Sequence, residues 1–344
     1  MAIKEIVERQ QSIANESQAP LKLPPFSKYT VCNLRGGIGK TSLTFNLSYE
    51  TENCMVVDTC PQGNLSFFYD QTYYQNNTTS VKDLILPYIL PGLGRATRVA
   101  KKISATNDNF EDKSAFYIAS SDDLYTLPSQ MATALNQAKS LTGAAQATAI
   151  DSMLFSLRNE IDREMRETET ERCLIDTSPF FSGATHLSWH AAEAMIVPVR
   201  ADQQSINSLN LLLDTLSNPS SEFRRDMPSD GKTLKIQLVV LTHCTWSTVK
   251  EARNVPNQQT KVYVEKVRDI VDRNIQHFTT GNPDNHILLL DDFLGTGRIS
   301  TALSKPIALL EPGESMRINR VRTLVNKSVQ KVKLQLAYIN KSIW

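Results

Sequence analysis

Long apolar runs are missing from this 344-residue chain. None reaches the roughly 20 residues needed to cross a bilayer. Charge of one sign is missing too: 37 Lys and Arg stand against 36 Asp and Glu, a formal net charge of +1. No global field therefore argues for a polyanionic partner, and the question moves to local clusters. The five cysteines, Cys32, Cys54, Cys60, Cys173 and Cys244, form no CxxC pair, and no secretory leader pattern precedes them. An odd count without a leader predicts free thiols in a reducing cytoplasm. The sequon Asn76-Asn77-Thr78 carries no meaning in that compartment. A Gly-x-Ser-x-Gly elbow, an HExxH helix and internal repeats are all absent. His186 and His190 are four apart, close enough to share one helix face. Two histidines are an incomplete metal site, so packing is the expected role for the pair.

What is present is a series of short apolar runs: "YTVCNL", "CMVVD", "AFYIAS", "RCLIDTS", "AMIVPV", "IQLVVLT" and "HILLLDD". Helical patterns separate many of them. Continuous apolar strands alternating with helices predict an α/β fold, a mostly parallel β-sheet covered by helices on both faces. Ahead of it, "IKEIVERQQSIA" reads as a short helix and "APLKLPPF" as a Pro-containing linker, giving an N-terminal extension over 1–27. The main domain spans 28–314. Residues 129–170 read as helix, and "FFYDQTYYQNNTTS" (67–80) reads as a mobile polar and aromatic loop.

The chemistry concentrates in "NLRGGIGKTSLTFN", residues 33–46. A strand leads into Gly36, Gly37, Ile38, Gly39, Lys40, Thr41 and Ser42, and a helical pattern follows. Glycines let backbone amides turn inward around phosphate oxygens, and the new helix aims its positive end at the same point. Lys40 neutralises the β/γ charge and the Thr41 hydroxyl reaches Mg²⁺. The usual phosphate loop has a glycine separated by four residues from its Gly-Lys pair, and that place is Leu34 here. Two acids end later strands: Asp58 in "VVDTCPQGN" and Asp176 in "CLIDTSPF". Nucleotide-binding sheets gather ligands outside the carboxyl ends of their strands, so both acids are expected beside the phosphates, with Asp176 on the magnesium side.

These three motifs resemble the ParA/MinD group of deviant Walker A P-loop ATPases. The likeness covers roughly residues 28–310 and continues less specifically through "YIASSDDL" (117–124), "MIVPVRADQQSINSLNLLLDTL" (195–216) and "DDFLGTGRISTALSKPI" (291–307). The resemblance implies an ATP-dependent sandwich homodimer with ATP and Mg²⁺ as cofactors. It implies an activating partner of the ParB kind or another adaptor, and a surface of DNA or membrane. It assigns Lys40, Asp58 and Arg35 to the reaction, Gly36 to Ser42 and Pro198 to the nucleotide, and Thr41 and Asp176 to the metal. Two positions depart from the group. Its cross-subunit lysine is Arg35 here, which keeps the charge on a bulkier planar fork. The acid that positions the attacking water is Cys60, a weak hydrogen-bond partner that is protonated at neutral pH, so slow hydrolysis is expected.

From 315 to 344 the chain carries Arg317, Arg320, Arg322, Lys327, Lys331, Lys333 and Lys341 and no acid. Val321, Val325, Val329, Val332, Leu336, Ile339 and Ile343 recur at spacings of three and four, which predicts one helix packed on the sheet with a basic outer face. DNA binding is assigned to Arg317, Arg320, Arg322, Lys327, Lys331 and Lys333, with "GRATRVAKK" (94–102) expected to join them. The leading expectation is a ParA-like, cytoplasmic, nucleoid-associated protein in plasmid or chromosome partition or cargo positioning. A MinD-like membrane-surface ATPase and a nucleotide-gated scaffold with little hydrolysis are the alternatives.

Overall fold

The apolar runs become the strands of a single sheet, and the segments between them become its covering helices. In this computed structural model, residues 3–75, 79–90, 92–181, 183–248 and 254–344 are described; the sequon at 76–78 lies outside them. The order is α1 (Lys4–Ala14), β1 (Lys28–Val31), α2 (Lys40–Glu50), β2 (Cys54–Asp58), α3 (Asn64–Tyr69), α4 (Val81–Ile89), β3 (Lys101–Lys102) and β4 (Ala115–Ile118). Then come α5 (Leu127–Lys139), α6 (Gly143–Leu154), α7 (Ser156–Thr168), β5 (Arg172–Asp176), α8 (Ala184–Ala191), β6 (Ala194–Arg200), α9 (Gln203–Ser217), α10 (Glu222–Arg225) and β7 (Lys235–Cys244). The chain finishes with α11 (Gln258–Arg273), β8 (Ile287–Asp291), α12 (Leu294–Leu303), β9 (Ser315–Ile318), β10 (Val321–Leu324) and α13 (Val329–Ile343).

Among the described residues the main sheet has the order β3-β4-β2-β5-β1-β6-β7-β8, parallel throughout except for the short antiparallel edge strand β3. Alternate side chains along each strand bury to opposite faces. Val56, Leu174 and Ile196 pack with α2 and α13 on one face. Met55, Val57 and Ile175 pack with α4 to α8 on the other, where Met195, Val197 and Leu241 meet α9 and α11. This burial on both sides is why the strands read as unbroken apolar runs.

Three expectations change. The 129–170 stretch is not one helix: α5, α6 and α7 are separate, with Gly143 at a φ of +60° opening α6. The N-terminal segment is more than a tether. Ile3, Ile6 and Ile13 are buried, and the Arg9 guanidinium donates to the carbonyls of Asp284 and Ile287, so α1 covers the exposed flank of edge strand β8. The third change concerns 315–344, where a β-ribbon precedes the helix. Met316, Ile318, Val321 and Thr323 alternate with period two around Asn319 and Arg320, whose φ angles of +49° and +67° fit a two-residue hairpin turn. The helical spacing of Val321 with Val325 was coincidental; Val329, Val332, Leu336, Ile339 and Ile343 do form the buried stripe of α13.

His186 and His190 on α8 are buried with Phe181 and Phe223, with the two imidazole centroids 5.0 Å apart. Burial pushes His186 down from 6.5 to about 4. Above pH 6.5 folded and unfolded chains both carry the neutral ring. Below that, the unfolded chain takes up a proton that the folded chain refuses, so stability falls as pH drops from about 6.5 toward 4. In denaturant melts across this window, His186→Phe should show a shallower loss of midpoint than the wild type. An identical slope would refute a neutral buried His186.

Candidate functional site

The central strand β1 ends at Val31, and the chain then turns through Cys32 to Gly39 before α2 begins at Lys40. Gly37 and Gly39 take φ angles of +70° and +90°, the left-handed region that lets a loop turn its amides toward an anion. The position a Cβ would take on Gly37 has nothing within 4 Å, which leaves room for a ligand against the backbone. The loop is fastened from both sides. Asn33 Nδ2 donates to the Pro198 carbonyl at 2.7 Å, and Thr242 Oγ1 donates to the Ile38 carbonyl at 2.9 Å.

The predicted metal residues meet. Thr41 Oγ1 donates to Asp176 Oδ2 at 2.8 Å, and Thr44 Oγ1 lies 3.3 Å from Asp176 Oδ1. Asp58 stands beside them because β2 and β5 are in register, Asp58 opposite Asp176. Both carboxylates are fully buried. Burial raises the pKa of each, and for Asp176 the charge of Asp58 raises it further. The Thr41 hydroxyl and the Asp176 carboxylate are oxygen donors of the kind that Mg²⁺ takes, and a divalent cation there would offset the charge of the pair. Asp58, assigned to the reaction by resemblance, spends both oxygens on its own loop. Oδ2 accepts from the Ser66 amide and hydroxyl, both at 2.8 Å, and Oδ1 accepts from the Cys60 amide at 3.1 Å. It holds the 59–66 turn in place.

Lys40 is folded back. Its Nζ donates to the carbonyls of Asn33 and Arg35 at 3.1 and 2.7 Å. Arg35 also turns toward its own chain. Its guanidinium pairs with Asp202 and Ser205 at the start of α9 and reaches Gln204 Oε1 at 2.9 Å. A cross-subunit role for Arg35 therefore requires release of the Asp202 pair.

Beside the loop lies a cavity of about 910 Å³, lined by Gly37, Gly39 and Ser42 and by residues of α12 and of the β9–β10 ribbon. Arg200 on β6 lines it, and Pro198, two residues earlier on the same face, is not among the lining residues. Pairing of β6 with β1 ends at Ile196, so Pro198 gives up no sheet hydrogen bond on that side, and its carbonyl holds Asn33. Thr242 and His243 add to the wall, His243 in a strained left-handed conformation at φ +56°. Sequence reasoning missed both. The signal available was their place at the carboxyl end of the apolar run "IQLVVLT".

The basic residues separate. Lys331 pairs with Asp291 at 2.8 Å and sits 3.8 Å over the Trp246 ring, and Lys333 pairs with Glu311 at 2.8 Å. Both lysines are engaged with carboxylates of their own chain. Arg317, Arg320, Arg322 and Lys327 are exposed, and no ion pair holds them among the described residues. The cluster at 94–102 leads into β3, the edge strand at the opposite end of the main sheet from β8.

Fold and site together define a P-loop nucleotide-binding protein of the deviant Walker A type. A family model described as an AAA domain matches residues 27–228, more than half of the chain, and the protein belongs to that family, within the ParA/MinD group. None of the curated proteins matches it. Among solved structures, a putative plasmid partition protein from Borrelia burgdorferi bound to AMPPNP is 13% identical, with a TM-score of 0.53 over 93% of this chain and 100% of its own. Apo McdA from Cyanothece is 17% identical, with a TM-score of 0.51 over 81% of this chain and 89% of its own. A Cyanothece McdA variant in its ATP complex is 16% identical, with a TM-score of 0.50, 82% of this chain and 89% of its own. At these identities the likeness is one of fold.

Cys60 replaces the expected water-positioning acid. Its thiol is buried, and burial together with Asp58 pushes it up to about 12, so it stays protonated and cannot act as a base. General-base groups contribute about 100-fold or more to rate. Cys60→Asp should therefore raise ATP turnover at least tenfold in a phosphate-release assay. An equal or slower variant would show that this position does not limit hydrolysis.

Proposed function

We propose that this protein binds Mg-ATP in the loop from Gly36 to Ser42, forms a homodimer on it, and in that state holds duplex DNA without sequence preference to position a plasmid, chromosome or other cargo. The observation that carries the reading is the strand–loop–helix at 31–41, with Thr41 bonded to a buried Asp176 and Lys40 poised over the loop. The amides of Gly37 to Thr41 hold the β- and γ-phosphates, Lys40 neutralises them, and Thr41 with Asp176 holds the metal. Bound Mg²⁺ supplies charge neutralisation at the phosphates. Asp58 keeps the neighbouring turn in place, and Cys60 makes cutting slow. Arg35 leaves Asp202 for the partner's nucleotide when two copies meet. An activating adaptor of the ParB kind then restores turnover.

Four cations support the DNA part of this reading: Arg317, Arg320, Arg322 and Lys327, on the ribbon and the turn after it. Membrane attachment has less support. The apolar stripe of α13 is buried against the sheet, and among the described residues no helix is long and apolar enough to cross a membrane. Slow chemistry at Cys60 keeps a nucleotide-gated scaffold as the second reading, since such a protein needs the bound state and little turnover.

Lys40→Ala removes the loop cation aimed at the phosphates and should abolish ATP binding in calorimetry; unchanged affinity would overturn the assignment. In light scattering with a slowly hydrolysed ATP analogue, the wild type should approach twice its monomer mass and Arg35→Ala should not. A wild-type monomer under those conditions would remove the dimer from the account. DNA affinity should fall steeply with salt, and Arg317→Ala with Arg322→Ala should flatten the log–log slope by about 0.9 for each phosphate that is no longer neutralised. Binding to anionic liposomes with no gel shift on random duplex would reject DNA in favour of membrane.

A further inference from the structure

The β9–β10 ribbon has two faces with different chemistry. Cross-strand partners Ile318 and Val321, and behind them Met316 and Thr323, share one face; Arg317 and Arg322, also partners, share the other. Residues of the first face and of the turn reach the cavity beside the phosphate loop: Ile318, Asn319, Val321 and Thr323 share its wall with Gly37, Gly39 and Ser42. Val321 lines this cavity yet is 60% exposed, an apolar side chain facing space that no protein atom fills.

Met316 and Ile318 pack against the main core, and backbone bonds join Gly313 and Glu314 to Val325 at the open end of the ribbon. A two-stranded hairpin is marginal by itself, and this one leans on α12. Gly295 permits the approach: a Cβ there would come within 2.6 Å of the Leu324 carbonyl oxygen. Asn326 bonds back to the Thr296 amide and hydroxyl at 3.2 and 3.0 Å. The turn holds Arg320 in the left-handed region, where glycine is cheaper, and the Arg317–Arg322 pair sets two like charges opposite each other. Both features cost stability, and a ligand on each face would offset that cost.

We infer that this ribbon is the base-side wall of the nucleotide site. Ile318 and Val321 lie against the π-face of the purine, and Asn319 and Thr323 take polar groups at its edge. The triphosphate runs from there to the loop at Gly37. A cavity of about 910 Å³ is within the range of sites that take a whole small ligand. Filling it orders the ribbon and fixes Arg317 and Arg322 on the opposite face, so the segment that reads the base also presents the cations. This inference rests on the nucleotide reading of the loop.

The test is hydrogen exchange on the full chain with Mg-ADP and, separately, with Mg-tripolyphosphate, which has the phosphates and no base. Mg-ADP should slow exchange over 36–42 and over 316–324, and Mg-tripolyphosphate over 36–42 alone. Protection of 36–42 by Mg-ADP with none at 316–324 would overturn the base wall and leave the nucleotide site standing. Protection of neither segment would overturn both. Val321→Ala, at an exposed position whose truncation leaves folding intact, should weaken Mg-ADP about tenfold, as trimming an apolar group from a pocket does, with tripolyphosphate affinity unaltered. Equal weakening of the two ligands, or of neither, would refute contact with the base.

Discussion

Two buried carboxylates side by side are the constraint around which this protein is arranged. Asp58 and Asp176 end adjacent parallel strands in register, and burial raises the pKa of both. Left alone, such a pair is costly, because charge in a low-dielectric interior needs compensation. The chain meets part of the need locally. Amides and a hydroxyl of the 59–66 turn satisfy Asp58, and hydroxyls from the first turn of α2 satisfy Asp176. The remaining need is for positive charge; Lys40 meets part of it, and a divalent cation at Thr41 and Asp176 would meet the rest. Seen from this pair, the loop, the first turn of α2 and the turn after β2 are one device whose parts hold each other in register.

The same device explains why the loop is fastened so firmly to its surroundings. Asn33 ties it to β6 through the Pro198 carbonyl, and Thr242 ties it to β7 through the Ile38 carbonyl. Backbone amides bind phosphate well only when they need not move to do so. The side chains that must move are the ones with spare partners. Lys40 rests on two loop carbonyls, and Arg35 rests on the start of α9. A rigid backbone with two repositionable cations is suited to a site that changes state with its ligand.

The core of the site was legible in the sequence because its signals are local. Gly37 to Thr41 carry their meaning within one short stretch, and Asp58 and Asp176 each end an unbroken apolar run, which is enough to bring them together in a parallel sheet. The fold class followed from the same runs. The far wall was not legible, because it joins Gly37 to Val321, residues that only the finished fold brings near. There a period of three to four was read across Val321, Val325 and Val329 when the backbone was extended up to Leu324. Pro198 was assigned to the nucleotide from resemblance, and nothing in the sequence pointed to Arg200, which lines the cavity two residues further along the strand. The basic residues show a further limit: a count of charges says nothing of Asp291 beneath Lys331 or Glu311 beside Lys333.

Calorimetric titration of ATP, once with Mg²⁺ and once with chelator, tests the central claim most directly. If the loop and the carboxylate pair are one Mg-nucleotide site, the wild-type protein should bind ATP at least tenfold more tightly with Mg²⁺, a difference of about 1.4 kcal/mol, and Asp176→Asn should lose most of that difference. Binding of equal strength with and without Mg²⁺ in the wild-type protein would contradict the account.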